Sequence, residues 1–186
     1  MPPGIASSNG RLEADEIDIG TKFAGRVADI LVQEGDMVMQ GQIIARMDTK
    51  DLEASLKQAQ AQILQAQGAI EEARAAADQQ RASVALAKLQ FDRTNYLVQR
   101  GHVSQENLDL RRQQLDSANA ALTAAIARIA QAERAREAEQ QQADLIKVNI
   151  ADNTLVAPRD GRIQYRVANL GEVLPAGGKV VTMLDV

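Results

Sequence analysis

Apolar positions through the middle of the chain recur at helical spacing. Leu52, Leu56, Ala59, Ile63, Ala66, Ile70, Ala73, Ala77, Gln80, Val84, Ala87 and Phe91 follow steps of four and three. Leu108, Arg111, Leu115, Ala118, Leu122, Ala125, Ile129, Ala132, Arg136, Glu139, Ala143, Ile146 and Ile150 follow steps of three and four. Both runs are heptad seams, and no proline interrupts them. Between them, Gly101 suits a left-handed helix stop. Ser104 suits an N-cap, with Glu106 favourable in the first turn. The pattern predicts an antiparallel helical hairpin over residues 49–153, with its tip near residues 98–104. Its seam pairs positions whose numbers sum to 202, such as Leu52 with Ile150 and Ile70 with Ala132. In four of its layers, Ile70 with Ala132, Ala73 with Ile129, Val84 with Ala118 and Ala87 with Leu115, a large residue faces Ala, which fills the space between close helices. Ile63 with Glu139, Ala66 with Arg136 and Gln80 with Leu122 break the rule and predict weaker zones, or places where another helix covers the seam. Arms of about 45–50 residues reach roughly 65–75 Å at 1.5 Å per residue. That length exceeds what a core needs, so the arm is expected to span a distance.

The flanks follow a different grammar. Gly25-Arg26-Val27, Gly35-Asp36-Met37-Val38, Gly41, Ile43-Ile44 and Met47-Asp48 form one series. Gly161-Arg162-Ile163, Gly171-Glu172-Val173-Leu174, Gly177, Val180-Val181 and Leu184-Asp185 form another. The glycine spacings are 10 and 6 in both series, with one extra residue near Gly178 expected to shift the last strand. This is strand–turn–strand patterning, with Gly-acid pairs where a turn needs positive φ or a side-chain bond. Each copy alone buries too little apolar surface to fold. The two copies are therefore expected to pack face to face as a β-sandwich over residues 10–48 and 154–186. Asp15, Glu16 and Asp18 alternate with Ile17 and Ile19 and read as the wet face of an edge strand. Residues 1–9 are expected to be disordered.

Composition narrows the function. Two Phe, two Tyr and no Trp leave little material for one thick core. Net charge is −4, and residues 49–150 hold 13 Lys/Arg against 13 Asp/Glu, so the deficit lies in the flanks. No basic stripe with aromatics is present, and no nucleic-acid partner is expected. The absence of cysteine excludes disulfides and thiolate metal sites. No apolar run is long enough to span a membrane as a helix. The first residues do not form a signal peptide, so work outside the cytoplasm implies a signal already removed. His102 is the only histidine and has no metal-ligating company. No nucleophile–base set or phosphate-cradling loop is found, so an enzyme is not expected and no cofactor is assigned.

Two biotinyl/lipoyl-type half-motifs split by a helical hairpin resemble the periplasmic adaptor, or membrane fusion, proteins of the haemolysin-secretion D type. The resemblance covers roughly residues 10–186. Val156-Ala157-Pro158-Arg159-Asp160-Gly161 is similar to the family's Ala-Pro-x-Asp-Gly entry to the second half. Val32-Gln33-Glu34-Gly35-Asp36 is similar to the turn of the first. The fold implied is α+β, a split lipoyl/biotinyl-like β-sandwich interrupted by a long coiled-coil hairpin. The implied function is a periplasmic subunit of a tripartite efflux or secretion system. Its implied partners are a TolC-like outer-membrane channel, an inner-membrane ABC or proton-driven transporter, and copies of itself in a trimer or hexamer. The family usually has barrel, membrane-proximal and anchor regions as well, so the chain reads as part of a longer, inner-membrane-anchored protein.

Arg93, Leu97 and Ser104 have the spacing that channel-docking adaptors carry at the hairpin tip. The resemblance implies that these three contact the channel. Such chemistry is reasonable: Arg bonds carbonyls at a helix end, Leu fills a groove, and Ser adds a small polar contact. Each also has a plain role, Ser104 as cap, Leu97 closing the hairpin end and Arg93 as a solvated charge beside Asp92. Two other classes remain open. A lipoyl or biotinyl carrier would present Lys50 on a two-strand turn, but the chain here enters a helix, with Asp48 or Thr49 as cap. A purely structural coiled coil would need none of the tip residues.

Overall fold

A computed structural model describes residues 15–185, which places residues 1–14, including the expected disordered stretch 1–9, outside the described residues. The strands are β1 (Glu16–Gly20), β2 (Gly25–Ile30), β3 (Met37–Val38), β4 (Ile43–Met47), β5 (Thr154–Val156), β6 (Gly161–Arg166), β7 (Val173–Leu174) and β8 (Lys179–Asp185). Between β4 and β5 lie two helices, α1 (Lys50–Gln99) and α2 (Gln105–Asp152). The chain divides into two compact units. One holds the strands with the helix roots up to Ala54 and from Ile146; the other is Ser55–Leu145.

In the strand unit, two four-stranded antiparallel sheets run in the orders β1-β8-β6-β3 and β5-β4-β2-β7. The two copies do not simply face each other. Each sends its short middle strand into the other's sheet: β3 pairs β6, and β7 pairs β2. The preceding strands cross over too, β1 onto β8 and β5 onto β4. Neither copy can bury its apolar face without the other, so the exchange makes one core.

That core follows the repeat. Val27 and Ile163, Val38 and Leu174, Ile44 and Val180, and Met47 and Met183 are all buried in one cluster. The members of each pair lie 136 positions apart, as 163 less 27 and 180 less 44. The backbone keeps the same offset: Leu31 N–H donates to Ile44 O at 2.8 Å, and Val167 N–H to Val180 O at 2.9 Å. The extra residue expected near Gly178 is therefore absent. Ile43 matches Lys179, and the burial of Ile44-Ala45 matches that of Val180-Val181. Apolar chemistry misled the alignment, because an exposed Lys occupies the place of a half-buried Ile at the strand's start. Register shifts recur at matching points, between Val27 and Asp29 and between Ile163 and Tyr165.

The turn glycines behave as their chemistry demands. Gly35, Gly41, Gly171 and Gly177 have φ of 93°, 81°, 81° and 78°. Gly161 is glycine for a different reason. A Cβ there would collide with the carbonyl oxygen of Leu184 and with Met183 Cε. The preceding Asp160 accepts from Gln40 N–H at 2.7 Å, which ties the entry of the second copy to a turn of the first. As an edge strand, β1 exposes Glu16 and Asp18 and buries Ile19.

The hairpin unit is built on the seam. Every α1 seam position from Leu56 to Phe91 is at least partly buried. Ala59, Ile70 and Ala77 on α1, and Ala125 and Ala143 on α2, are its most buried residues. Ala59 with Ala143 and Ala77 with Ala125 are pairs of the expected register. Small side chains here let the helices approach closely. Across the seam, Arg74 Nη2 meets Glu133 Oε1 at 3.1 Å, and Arg111 donates to Gln90 Oε1 at 3.2 Å. Arg136, in one of the three irregular layers, is exposed. A polar depression lined by Gln67, Arg74, Glu133, Arg136 and Gln140 lies there.

Candidate functional site

The tip is set by how α1 stops. Gly101 has φ 75°, its N–H donates to Val98 O at 2.9 Å, and His102 N–H donates to Leu97 O at 3.0 Å. This pair of bonds is a Schellman stop, which satisfies the carbonyls of the last turn. The chain reverses within a few residues, and α2 begins immediately after Ser104.

Arg93 and Leu97 are four residues apart on α1 and so share a face. Arg93 is exposed and has no ion pair among the described residues; its neighbour Asp92 is engaged by Lys88 at 3.3 Å instead. An exposed, unpaired guanidinium is also what the plain reading of Arg93 as a solvated charge describes. Leu97 is half-buried, and its carbonyl accepts from both Arg100 and His102. Ser104 is exposed, and its Oγ accepts from Asn107 Nδ2 at 3.0 Å. The tip thus offers a cation, an apolar side chain and a hydroxyl within one turn-and-a-half of helix and the loop that follows.

Sequence reasoning passed over the company Arg93 keeps. Leu86, Leu89 and Tyr96 are exposed by 57%, 56% and 51%. They lie three, four and three residues from one another and from Arg93, so all share one stripe on the back of α1. Arg100 lies over the Tyr96 ring at 4.3 Å. The spacing was visible in the sequence, but the stronger seam masked it.

Lys50 is the first residue of α1, and its N–H donates to Asp48 Oδ1 at 3.1 Å. Strand β4 runs into a helix at this point, so Lys50 does not sit on a two-strand turn. His102 is exposed in the tip loop. Among the described residues no group of His, Cys, Asp or Glu could hold a metal ion, and no helix is long and apolar enough to cross a membrane.

A split sandwich interrupted by a helical hairpin is the fold of the periplasmic adaptor and membrane fusion proteins. The periplasmic adaptor protein EmrA matches 93% of this chain over 73% of its own, with a TM-score of 0.51 at 16% identity. The membrane fusion protein Spr0693 of Streptococcus pneumoniae R6 matches 92% of this chain over 65% of its own, with a TM-score of 0.52 at 15% identity. In sequence, the chain is 28% identical to the multidrug resistance protein MdtN of Escherichia coli O157:H7 over 204 residues, 97% of this chain. The chain spans 60% of that curated relative's length. No family model matches the chain. The resemblance read from the half-motifs thus holds in both sequence and fold.

Proposed function

We propose that this chain is the sandwich-and-hairpin portion of a periplasmic adaptor subunit. In that role it bridges an inner-membrane transporter, of ABC or proton-driven type, and a TolC-like outer-membrane channel. The work is assembly rather than catalysis. Residues 10–48 and 154–186 act as the lipoyl-like body and residues 49–153 as the arm. Several copies, three or six, stand in a ring around a conduit, with the longer protein anchored in the inner membrane. Relation to a protein named for multidrug resistance favours export of small molecules.

The observation that carries this reading is the tip. Arg93, Leu97 and Ser104 retain the docking spacing, and Arg93 and Ser104 are both exposed. An unpaired guanidinium beside a Leu can bond carbonyls at a partner's helix end while the Leu enters a groove.

The test is Leu97→Asp. Site-specific cross-linking from the tip to a candidate channel should be lost, with helicity by circular dichroism unchanged. Retained cross-linking would remove Leu97 from the docking surface. Loss of helicity together with cross-linking would make its role structural.

A further inference from the structure

The repeat sets an arginine at the same point of both copies, Arg26 in Gly25-Arg26-Val27 and Arg162 in Gly161-Arg162-Ile163. Their side chains meet different fates. Arg162 Nε donates to Gly35 O at 2.9 Å, which ties it to a turn of the first copy. The matching acceptor for Arg26 is Gly171 O, yet the Arg26 side chain makes no hydrogen bond and no ion pair among the described residues. The position three residues earlier differs as well. The second copy has Arg159 there, ion-paired to Asp185 at 2.9 Å; the first has Phe23, 39% exposed.

Beside Arg26 lies a cavity of about 590 Å³, within the size range of small-molecule sites. It opens between the β1–β2 loop and the roots of α1 and α2, all within the strand unit. Phe23 and Leu52 give it an apolar side, and Arg26 and Lys50 a cationic one. Lys22 Nζ stands 5.5 Å from the Phe23 ring centre and is ion-paired to Asp152 at 2.6 Å, which holds the ring in place. Asn153 is buried and donates from Nδ2 to Asn149 O at 2.8 Å; the half-buried Asn149 amide beside it has no hydrogen bond of its own among the described residues. Two carboxylates also border the cavity, and both are engaged. Asp48 Oδ1 accepts from Lys50 N–H at 3.1 Å, and Asp51 has a partner elsewhere. The charged groups left free to bind are the Arg26 guanidinium and the Lys50 ammonium.

We propose that this cavity binds an organic anion with a flat apolar body. Its acid group, a carboxylate or sulfonate, accepts hydrogen bonds from Arg26 and Lys50. Its body lies against Phe23 and Leu52, and the Asn149 amide adds a directional bond. Binding is reversible and involves no covalent step. The second copy offers no such site, because Arg162 is spent on Gly35 and Arg159 on Asp185. The lining joins a strand loop to both helix roots, so an occupant ties these three segments together. The site is separate from the tip and stands whether or not the tip docks on a channel.

Two dyes of one ring system test this on the full chain. Anilinonaphthalene sulfonate carries the anion, and phenylnaphthylamine lacks it. The sulfonate should bind at a single site, and the neutral dye at least about tenfold more weakly, as the loss of charge-assisted hydrogen bonds requires. Arg26→Gln should weaken the sulfonate by a similar factor and leave the neutral dye unchanged; Arg162→Gln should affect neither. The side-chain amide signals of Asn149 and Asn153 should shift as the sulfonate is added, as followed by NMR. Equal affinity for the two dyes, sulfonate binding indifferent to Arg26→Gln, or shifts confined to the tip around Leu89 and Tyr96 would overturn the inference. Should Arg26→Gln also lower the urea midpoint, Lys50→Gln decides: weaker sulfonate binding at an unchanged midpoint supports the site, and unchanged binding removes it.

Discussion

Asp36 and Glu172 do the same work in the two copies of the strand repeat. Asp36 Oδ2 accepts from Gln33 N–H at 2.8 Å, and Glu172 Oε2 accepts from Asn169 N–H at 2.9 Å. In both turns the residue just before the acid is a glycine at positive φ. The adjoining backbone matches as well: Ile163 N–H donates to Asp36 O, and Val27 N–H to Glu172 O, each at 2.9 Å. Each acid therefore shapes its own turn and offers its carbonyl to the other copy's strand.

Asp36→Ala and Glu172→Ala should each lower stability by about 1 kcal/mol, the value of one such bond. Asp36→Asn keeps an acceptor oxygen and should cost less. Urea midpoints of the three variants provide the measurement.

Gly25 and Gly161 are equivalent in the repeat but not in their surroundings. An added Cβ at Gly25 meets only Met47 Cε at 3.5 Å, whereas at Gly161 it strikes the Leu184 backbone. Gly161→Ala should cost about 2–3 kcal/mol through overpacking. Gly25→Ala should stay within about 1 kcal/mol of the parent. Equal losses in chemical denaturation would contradict the geometry.

Asp18 gives the strand unit an acid-sensitive point. Its carboxyl is held below the ordinary 3.8, first by the bond to Lys179 and then by that from Thr182. Lys179 Nζ stands 2.5 Å from Oδ2, and Thr182 Oγ1 donates to Oδ1 at 2.8 Å. A depressed folded-state value means the contribution is whole above the unfolded value and fades as pH falls through the folded one. Asp18→Asn should therefore flatten the stability curve below about pH 4. Lys179→Ala should raise the Asp18 titration midpoint toward the ordinary value, as followed by NMR of the carboxyl carbon.

The irregular layers of the hairpin can be mended. Glu139 is half-buried opposite Ile63, in a seam filled mostly by apolar pairs. Glu139→Leu should stabilise the hairpin by about 1 kcal/mol through added apolar burial. Hydrogen exchange should slow around residues 60–70 and 132–143. A lower thermal midpoint would mean that Glu139 holds something its surroundings do not reveal.

How much of this was legible beforehand depended on the range of the interaction. The seam could be read because each layer follows from spacing within one helix, and Gly101 and Ser104 mark the reversal locally. The turn at Gly35-Asp36 and its copy at Gly171-Glu172 were equally local. The strand exchange was not, because nothing near Met37 or Val173 says which sheet its strand will join. The constant offset was hidden where Lys179 stands for Ile43. At the tip, the spacing of Arg93, Leu97 and Ser104 was plain, but the unpaired state of Arg93 required knowing that Lys88 engages Asp92.

Strand exchange has a consequence for the order in which the protein can be made. During synthesis the first copy emerges with β2 lacking β7 and with nowhere to place β3, and it must wait for the whole arm to be translated. Pairing of α1 with α2 brings the residues at either end of the arm together, which removes most of the loop-closure cost for the sheets that follow. The arm is thus a folding aid before it is anything else. A released chain that ends after β6 should hold a finished hairpin and an unfinished strand unit.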